Sequence, residues 1–238
     1  MAISRSLSGA LLGLLVCVHA AGAAAIDGAA LVGKSCVSCH NLSGPSPNTF
    51  DALLKRRAPD LFYAGSKFNR TWLVGWLQKP TLIRPAGVIY LKNIVTKDKK
   101  DNIRKESVAP CPTKLSQPEA EAVADYLMTL KDPNLKAGVV DPKKKLRKHK
   151  ALRLFRKKLP CIGCHAITFG KRTMGGVTGP DLRDAGNRLN PDWVYAQIEN
   201  PQYWDPMTWM PRIEMSHRKR EMLTLFIISM KQSQGGSK

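Results

Sequence analysis

Apolar residues recur at helical spacing in three well-separated stretches. Ala120, Val123, Ala124, Leu127 and Leu130 fall on one face of a helix. Ser116-Gln117-Pro118-Glu119 opens that helix as a capping box with proline in the first turn. Near the end of the chain Ser216 caps an equivalent helix running through Leu223, Phe226, Ile227 and Met230. Ala151, Leu152, Phe155 and Leu159 line a third. No segment sustains the period-two alternation of a strand, so the pattern predicts an all-α fold. The first 25 residues read differently. Arg5 is their only charged side chain, Ala10 to Val18 is apolar, and Ala20 to Ala25 is a run of small residues. That order predicts a secretory signal peptide cleaved near Ala25. An uncleaved anchor is the alternative.

The middle of the chain repeats. Residues 58–80 (APDLFYAGSKFNRTWLVGWLQKP) align with residues 179–201 (GPDLRDAGNRLNPDWVYAQIENP) at an offset of 121, without a gap. Pro59/Pro180, Asp60/Asp181, Gly65/Gly186, Asn69/Asn190, Trp72/Trp193 and Pro80/Pro201 coincide. A repeat of this length signals two copies of one structural unit.

Each copy is preceded by the same cysteine motif. Cys36-Val37-Ser38-Cys39-His40 and Cys161-Ile162-Gly163-Cys164-His165 are both CxxCH. Two thiols followed directly by histidine are the attachment signature of haem c: the sulfurs form thioether links and the histidine becomes the proximal iron ligand. A redox CxxC pair and half of a zinc site are the competing readings of a single motif. Two copies behind an export signal favour two haem c groups.

Motifs and repeat together resemble a tandem of class I cytochrome c domains, over nearly all of residues 26–232. The resemblance implies domain 1 at 26–133, a basic linker at 134–146, domain 2 at 147–232 and a flexible tail at 233–238. It implies that the carbonyls of Pro59 and Pro180 accept a hydrogen bond from the proximal histidines, His40 and His165. It further implies that Trp72 and Trp193 reach a haem propionate, though simple packing explains both equally well.

The distal ligands separate the copies. Met210-Pro211 fits the usual Met-Pro element in the second, with Met207 and Met215 as weaker competitors. In the first, no methionine lies between Cys39 and Met128, and Pro110-Cys111-Pro112 fills the corresponding slot. Cys111 as a thiolate ligand would give a His/Cys haem beside a His/Met haem. An inert thiol, a cysteine paired with a partner subunit and an open iron site are the alternatives. His149 is a rival ligand in a basic, solvated segment. Domain 1 also carries an insertion at about 86–110, expected as a surface loop near its distal face.

Charge enters last. Lys and Arg number 38 against 18 Asp and Glu, a net +20. The excess is local: residues 131–160 hold 12 basic and two acidic side chains. No nucleic-acid motif accompanies it. In an exported haem protein the segment reads as a docking patch for acidic redox partner proteins, with anionic lipid headgroups as another candidate. The expected function is a periplasmic electron carrier, soluble or peripheral. The alternative is an enzyme resembling thiosulfate dehydrogenases, or a cytochrome subunit of a sulfur- or nitrogen-compound oxidising complex. No acid–base constellation accompanies the motifs, so no catalytic residue is assigned.

Overall fold

Helix α1 (Gly28–Ser35) begins where the Asp27 carboxylate accepts a hydrogen bond from Ala30 N at 3.1 Å. The structure, a computed structural model, describes residues 25–104 and 107–232. The expected signal peptide, Ala25 apart, and the expected tail at 233–238 lie outside the described residues. Thr49 caps α2 (Phe50–Lys55), and a short α3 (Ala64–Lys67) leads into α4 (Arg70–Gln78). After the insertion comes α5 (Gln117–Thr129), where Ser116 N donates to Glu119 Oε2 at 2.9 Å and Ser116 Oγ at 2.6 Å. Helices α1, α4 and α5 enclose Val32, Leu73, Leu77, Ala120, Val123, Ala124 and Leu127. Each such aliphatic side chain contributes roughly 1.5–3 kcal/mol when fully buried.

The second half is built alike. Helix α6 (Lys148–Arg153) continues into a wider π turn over Leu154–Lys158. The helix predicted through Leu159 therefore changes form early, and Leu159 itself is extended, as the residue before Pro160 must be. Then follow α7 (Cys161–Cys164), α8 (Ala185–Arg188), α9 (Pro191–Glu199) and α10 (His217–Ile228). Their core gathers Phe155, Ile167, Leu182, Trp193, Val194, Leu223, Phe226 and Ile227.

Two short hairpins add to the all-helical expectation. The insertion is not a plain loop: it carries β1 (Ile94–Lys97) antiparallel to β2 (Lys100–Ile103). Asp98 (φ 53°) and Lys99 (φ 60°) make its two-residue turn, the left-handed pair that the strand twist favours. The second hairpin, β3 (Ile167–Phe169) with β4 (Arg172–Met174), turns on Gly170. Strands of three or four residues are too short for their alternation to stand out.

The linker is strapped down, not free. Gly138 N and Val140 N donate to the Asp192 carboxylate at 2.7 and 2.9 Å. Val140 is buried against Tyr195 and Leu225, and Lys144 pairs with Glu221 at 2.7 Å.

The halves meet along a seam made by equivalent residues. Asn69 N donates to Arg188 O at 2.9 Å, and Asn190 N donates to Lys67 O at 2.9 Å. Between them Phe68 and Leu189 form an antiparallel bridge. Phe68 and Leu189 are repeat counterparts, and the two hydrogen bonds exchange under the repeat, so the seam has local two-fold character. Tyr63 crosses it to join the second core.

Two glycines at equivalent positions hold each short helix against the last helix of its own half. Gly65 N donates to Leu130 O at 2.8 Å, and Gly186 N to Met230 O at 2.7 Å. A Cβ would strike the Met128 carbonyl at Gly65 and the Ile228 carbonyl at Gly186. Gly65→Ala and Gly186→Ala are each expected to cost about 3 kcal/mol in urea unfolding. Gly33→Ala, mid-helix with nothing within 4 Å of the new methyl, should gain up to about 1 kcal/mol. Hydrogen bonds from Ser116 hold the Glu119 carboxyl below its usual range. That contribution is present above the ordinary carboxylate value and is lost as pH falls through the folded one. The Ser116→Ala penalty in unfolding midpoint should therefore be full at pH 7 and shrink below roughly pH 4.

Candidate functional site

The two CxxCH motifs sit at corresponding places. Cys36 caps the C-terminal end of α1, and His40 N donates to Cys36 O at 2.9 Å, closing a turn over the motif. In the second half α7 is the motif itself, and His165 N donates to Cys161 O at 3.0 Å. In both, the first cysteine is partly buried and the second, Cys39 or Cys164, is exposed.

Both histidines are aimed by a proline carbonyl. His40 Nδ1–H donates to Pro59 O at 2.7 Å, and His165 Nδ1–H donates to Pro180 O at 2.8 Å. Burial is the main cause holding each imidazole below its ordinary pKa, against the opposing pull of that hydrogen bond. A neutral ring with Nδ1–H engaged keeps its Nε2 lone pair for a metal.

Glycines let the chain close around the second motif. Gly176 N donates to Ile162 O at 2.9 Å, and Gly179 N to Cys164 O at 2.8 Å. A Cβ on Gly179 would lie 2.8 Å from His165 Cε1 and 2.9 Å from its Nδ1. Gly175, at φ 118°, and Gly176 press on the backbone of His165 and Gly163.

The first cysteine of each motif is a poor nucleophile. Burial pushes Cys161 up to about 11 and raises Cys36, with the nearby Cys111 and Cys39 adding to the latter. A redox CxxC needs the opposite, a stabilised thiolate. Among the described residues no group of three or more His, Cys, Asp or Glu is placed to hold a metal, whereas a structural zinc needs four protein ligands together.

The distal candidates lie at both motifs' halves. Cys111 is partly buried and close enough to Cys36 for its charge to be felt there. Met210 packs against the second core. Gln202 Nε2 donates to its carbonyl at 2.9 Å, and Gln197 Nε2 approaches its sulfur at 3.9 Å. Met215 touches the same core. His149 is exposed, its ring edge on Phe169 at 5.4 Å. His217 opens α10 with Nδ1 2.7 Å from the Tyr195 hydroxyl.

The two tryptophans are buried, but not alike. Trp72 stacks between Phe68 and Trp76 at 5.6 and 5.9 Å. Trp193 Nε1 is buried with no hydrogen-bond partner among the described residues.

Sequence reasoning missed the charged side chains of the seam. Lys67 and Arg188 occupy equivalent repeat positions, and each sits over the tryptophan of the other half. Lys67 Nζ lies 4.8 Å from the Trp193 ring, and Arg188 Cζ lies 5.8 Å from the Trp72 ring. Reading the repeat for conserved charge type as well as identity would have found the pair. The insertion also reaches across: Tyr90 meets Trp209, next to Met210, edge-on at 5.5 Å. Among the described residues no helix is long and apolar enough to cross a membrane.

No family model, curated protein or solved structure matches the chain.

The Gly179 contact has a measurable consequence. Gly179→Ala is expected to displace or abolish the NMR signal of the His165 Nδ1 proton while leaving that of His40 in place. An unchanged His165 signal would mean that the glycine does not set the ring position.

Proposed function

We propose that this chain is an exported dihaem cytochrome c of two class I domains that carries electrons between redox proteins. The observation carrying the reading is the repeated unit of CxxCH motif, neutral histidine and proline carbonyl, in two halves related by the 121-residue repeat. Haem c supplies an iron that cycles between Fe(II) and Fe(III). Cys36 and Cys39 would hold one group, Cys161 and Cys164 the other, with His40 and His165 as proximal ligands.

The residues fit that cofactor. Neutral thiols are the form that adds to a vinyl group. The histidines present Nε2 and have Nδ1 engaged. The buried, partnerless Trp193 Nε1 is a donor waiting for an acceptor that the described residues do not supply.

Unlike distal ligands make the two sites unequal. Met210 would offer a neutral thioether, which favours Fe(II). Cys111 would offer an anionic sulfur, which favours Fe(III) and lowers the potential. Electrons would then run downhill from the first half to the second.

Partner docking follows from exposed charge. Lys143, Lys145, Arg147, Lys148, Lys150, Arg153, Arg156, Lys157 and Lys158 are all exposed and run directly into Cys161. A partner with an acidic face would be steered there, and reaction rates would fall as salt rises.

The test is expression with an export leader in a host that attaches haem c. Two haems per chain and two separate redox waves are expected. Absence of covalent haem would overturn the reading. In electron paramagnetic resonance of the oxidised protein, Cys111→Met should remove a thiolate-type low-spin signal. An unchanged spectrum would exclude Cys111 as ligand. Haem reduction by thiosulfate that disappears in Cys111→Ala would instead identify an oxidising enzyme.

A further inference from the structure

The seam between the halves gathers Arg56, Lys67, Arg84 and Arg188. Arg56 pairs with Asp60 at 2.7 Å and with Asp205 at 2.9 Å. Arg188 pairs with Asp184 at 3.1 Å and donates to the Asp181 carbonyl at 2.5 Å. The side chains of Lys67 and Arg84 make no hydrogen bond or ion pair among the described residues. Asp205 is the carboxylate that attracts both; its Oδ2 accepts from Arg56, and its buried Oδ1 has no hydrogen-bond partner among the described residues.

Burial is costly for these two side chains. Lys67 Nζ lies over the rings of Trp193, Phe68 and Tyr63 at 4.8, 5.1 and 5.5 Å. Contacts of this kind offset only part of the cost of removing a cation from water. Arg56, Arg84 and Arg188 add repulsion at Lys67. Lys67 and Arg84 are each half-buried. The partnerless Trp193 Nε1 belongs to the ring beneath Lys67. Two cations that no ion pair holds, beside an orphaned donor, suit an anionic ligand.

We propose that Lys67 and Arg84, both from the first half, form a socket in trans for the carboxylates of the haem attached at Cys161 and Cys164. The proposal rests on the haem reading above and assigns these residues a positioning role that the repeat alone does not predict. Carboxylates between the two cations and the indole N–H would satisfy all three groups together. They would also tie loading of the second half to docking of the first half against it. Positive charge at that place favours Fe(II), so it raises the potential of the second haem and steepens the downhill step from the first.

The experiment is redox titration of the loaded protein as wild type, Lys67→Gln, Lys67→Arg and Arg84→Gln. The second haem's wave is identified as the one that moves in Met210→His. Lys67→Gln is expected to shift that wave to lower potential and leave the other in place, and Lys67→Arg should restore it. In infrared difference spectra of protein carrying haem with 13C-labelled carboxylates, Lys67→Gln should shift the labelled carboxylate bands. A general loss of stability would move neither readout selectively. Unchanged potential and unchanged bands in Lys67→Gln would overturn the proposal. If inorganic phosphate or thiosulfate shifts the wild-type wave but not that of Lys67→Gln, the socket belongs to a free anion and the proposal also fails. Should Lys67→Gln not fold, Arg84→Gln and Arg84→Lys carry the same comparison. A protein without covalent haem would refute the functional reading itself, and its spectrum would show this before any titration.

Discussion

Two backbone hydrogen bonds, Asn69 N to Arg188 O and Asn190 N to Lys67 O, fix how the halves of this chain face each other. Each bond is the repeat counterpart of the other, so making one aligns the other. Everything placed between the halves follows from that register. Lys67 comes to rest on Trp193, Arg188 on Trp72, and Tyr63 enters the second core. A slip of one residue would turn each of these side chains to the opposite face. The asparagines suit the task because each also opens a helix: Asn190 Oδ1 accepts from Asp192 N at 2.9 Å at the start of α9. Asn69 instead spends its side chain on the seam, Nδ2 donating to Asn187 O at 2.8 Å. The pair is symmetric in backbone and asymmetric in side chain.

The same contrast runs through the candidate sites. Backbone and proximal geometry are duplicated closely, with 2.7 and 2.8 Å from histidine to proline carbonyl. The groups that would tune chemistry are not. One half offers a cysteine beside its motif, the other a methionine held by two glutamines. Arg84 and Asp205, which share the repeat offset, have opposite charge. Duplication preserved what holds the imidazole in place, and divergence acted on the distal side and the seam. Two electron carriers of equal potential would gain nothing from being joined, so divergence at those positions is where a relay would be made directional.

The helices with capping signals were legible in the sequence. Ser116-x-x-Glu119 and its apolar face located α5 to within a residue, and Ser216 located α10. The roles of the Pro59 and Pro180 carbonyls were legible only through the resemblance, at two positions that the repeat aligns. The hairpins were not: Asp98-Lys99 is an uncommon pair for a left-handed turn, and the strands are too short to display alternation. Nor was the anchoring of the linker, because lysines mask the few residues, Val140 and Leu146, that bury. The seam cations were hidden for a further reason. A lysine in an amphipathic segment reads as solvated, and only the fold shows that Lys67 is surrounded by aromatic rings.

Placement of charge bears on direction as well as on encounter. The exposed basic run ends at Cys161, at the half whose methionine would favour Fe(II). If the seam cations raise the potential of that same half, electrons collect where the outer surface is most positive. A partner steered to this surface would meet the reduced end of the relay, which makes it an acceptor. The donor must then approach the first half, where the insertion with its hairpin covers part of the surface and Tyr90 leans on Trp209. In that relay inner and outer cations would serve separate purposes. The inner ones would set how far downhill the electron travels, an effect that persists in salt. The exposed ones would set how quickly a partner arrives, an effect that salt, with a Debye length of roughly 8–10 Å, removes.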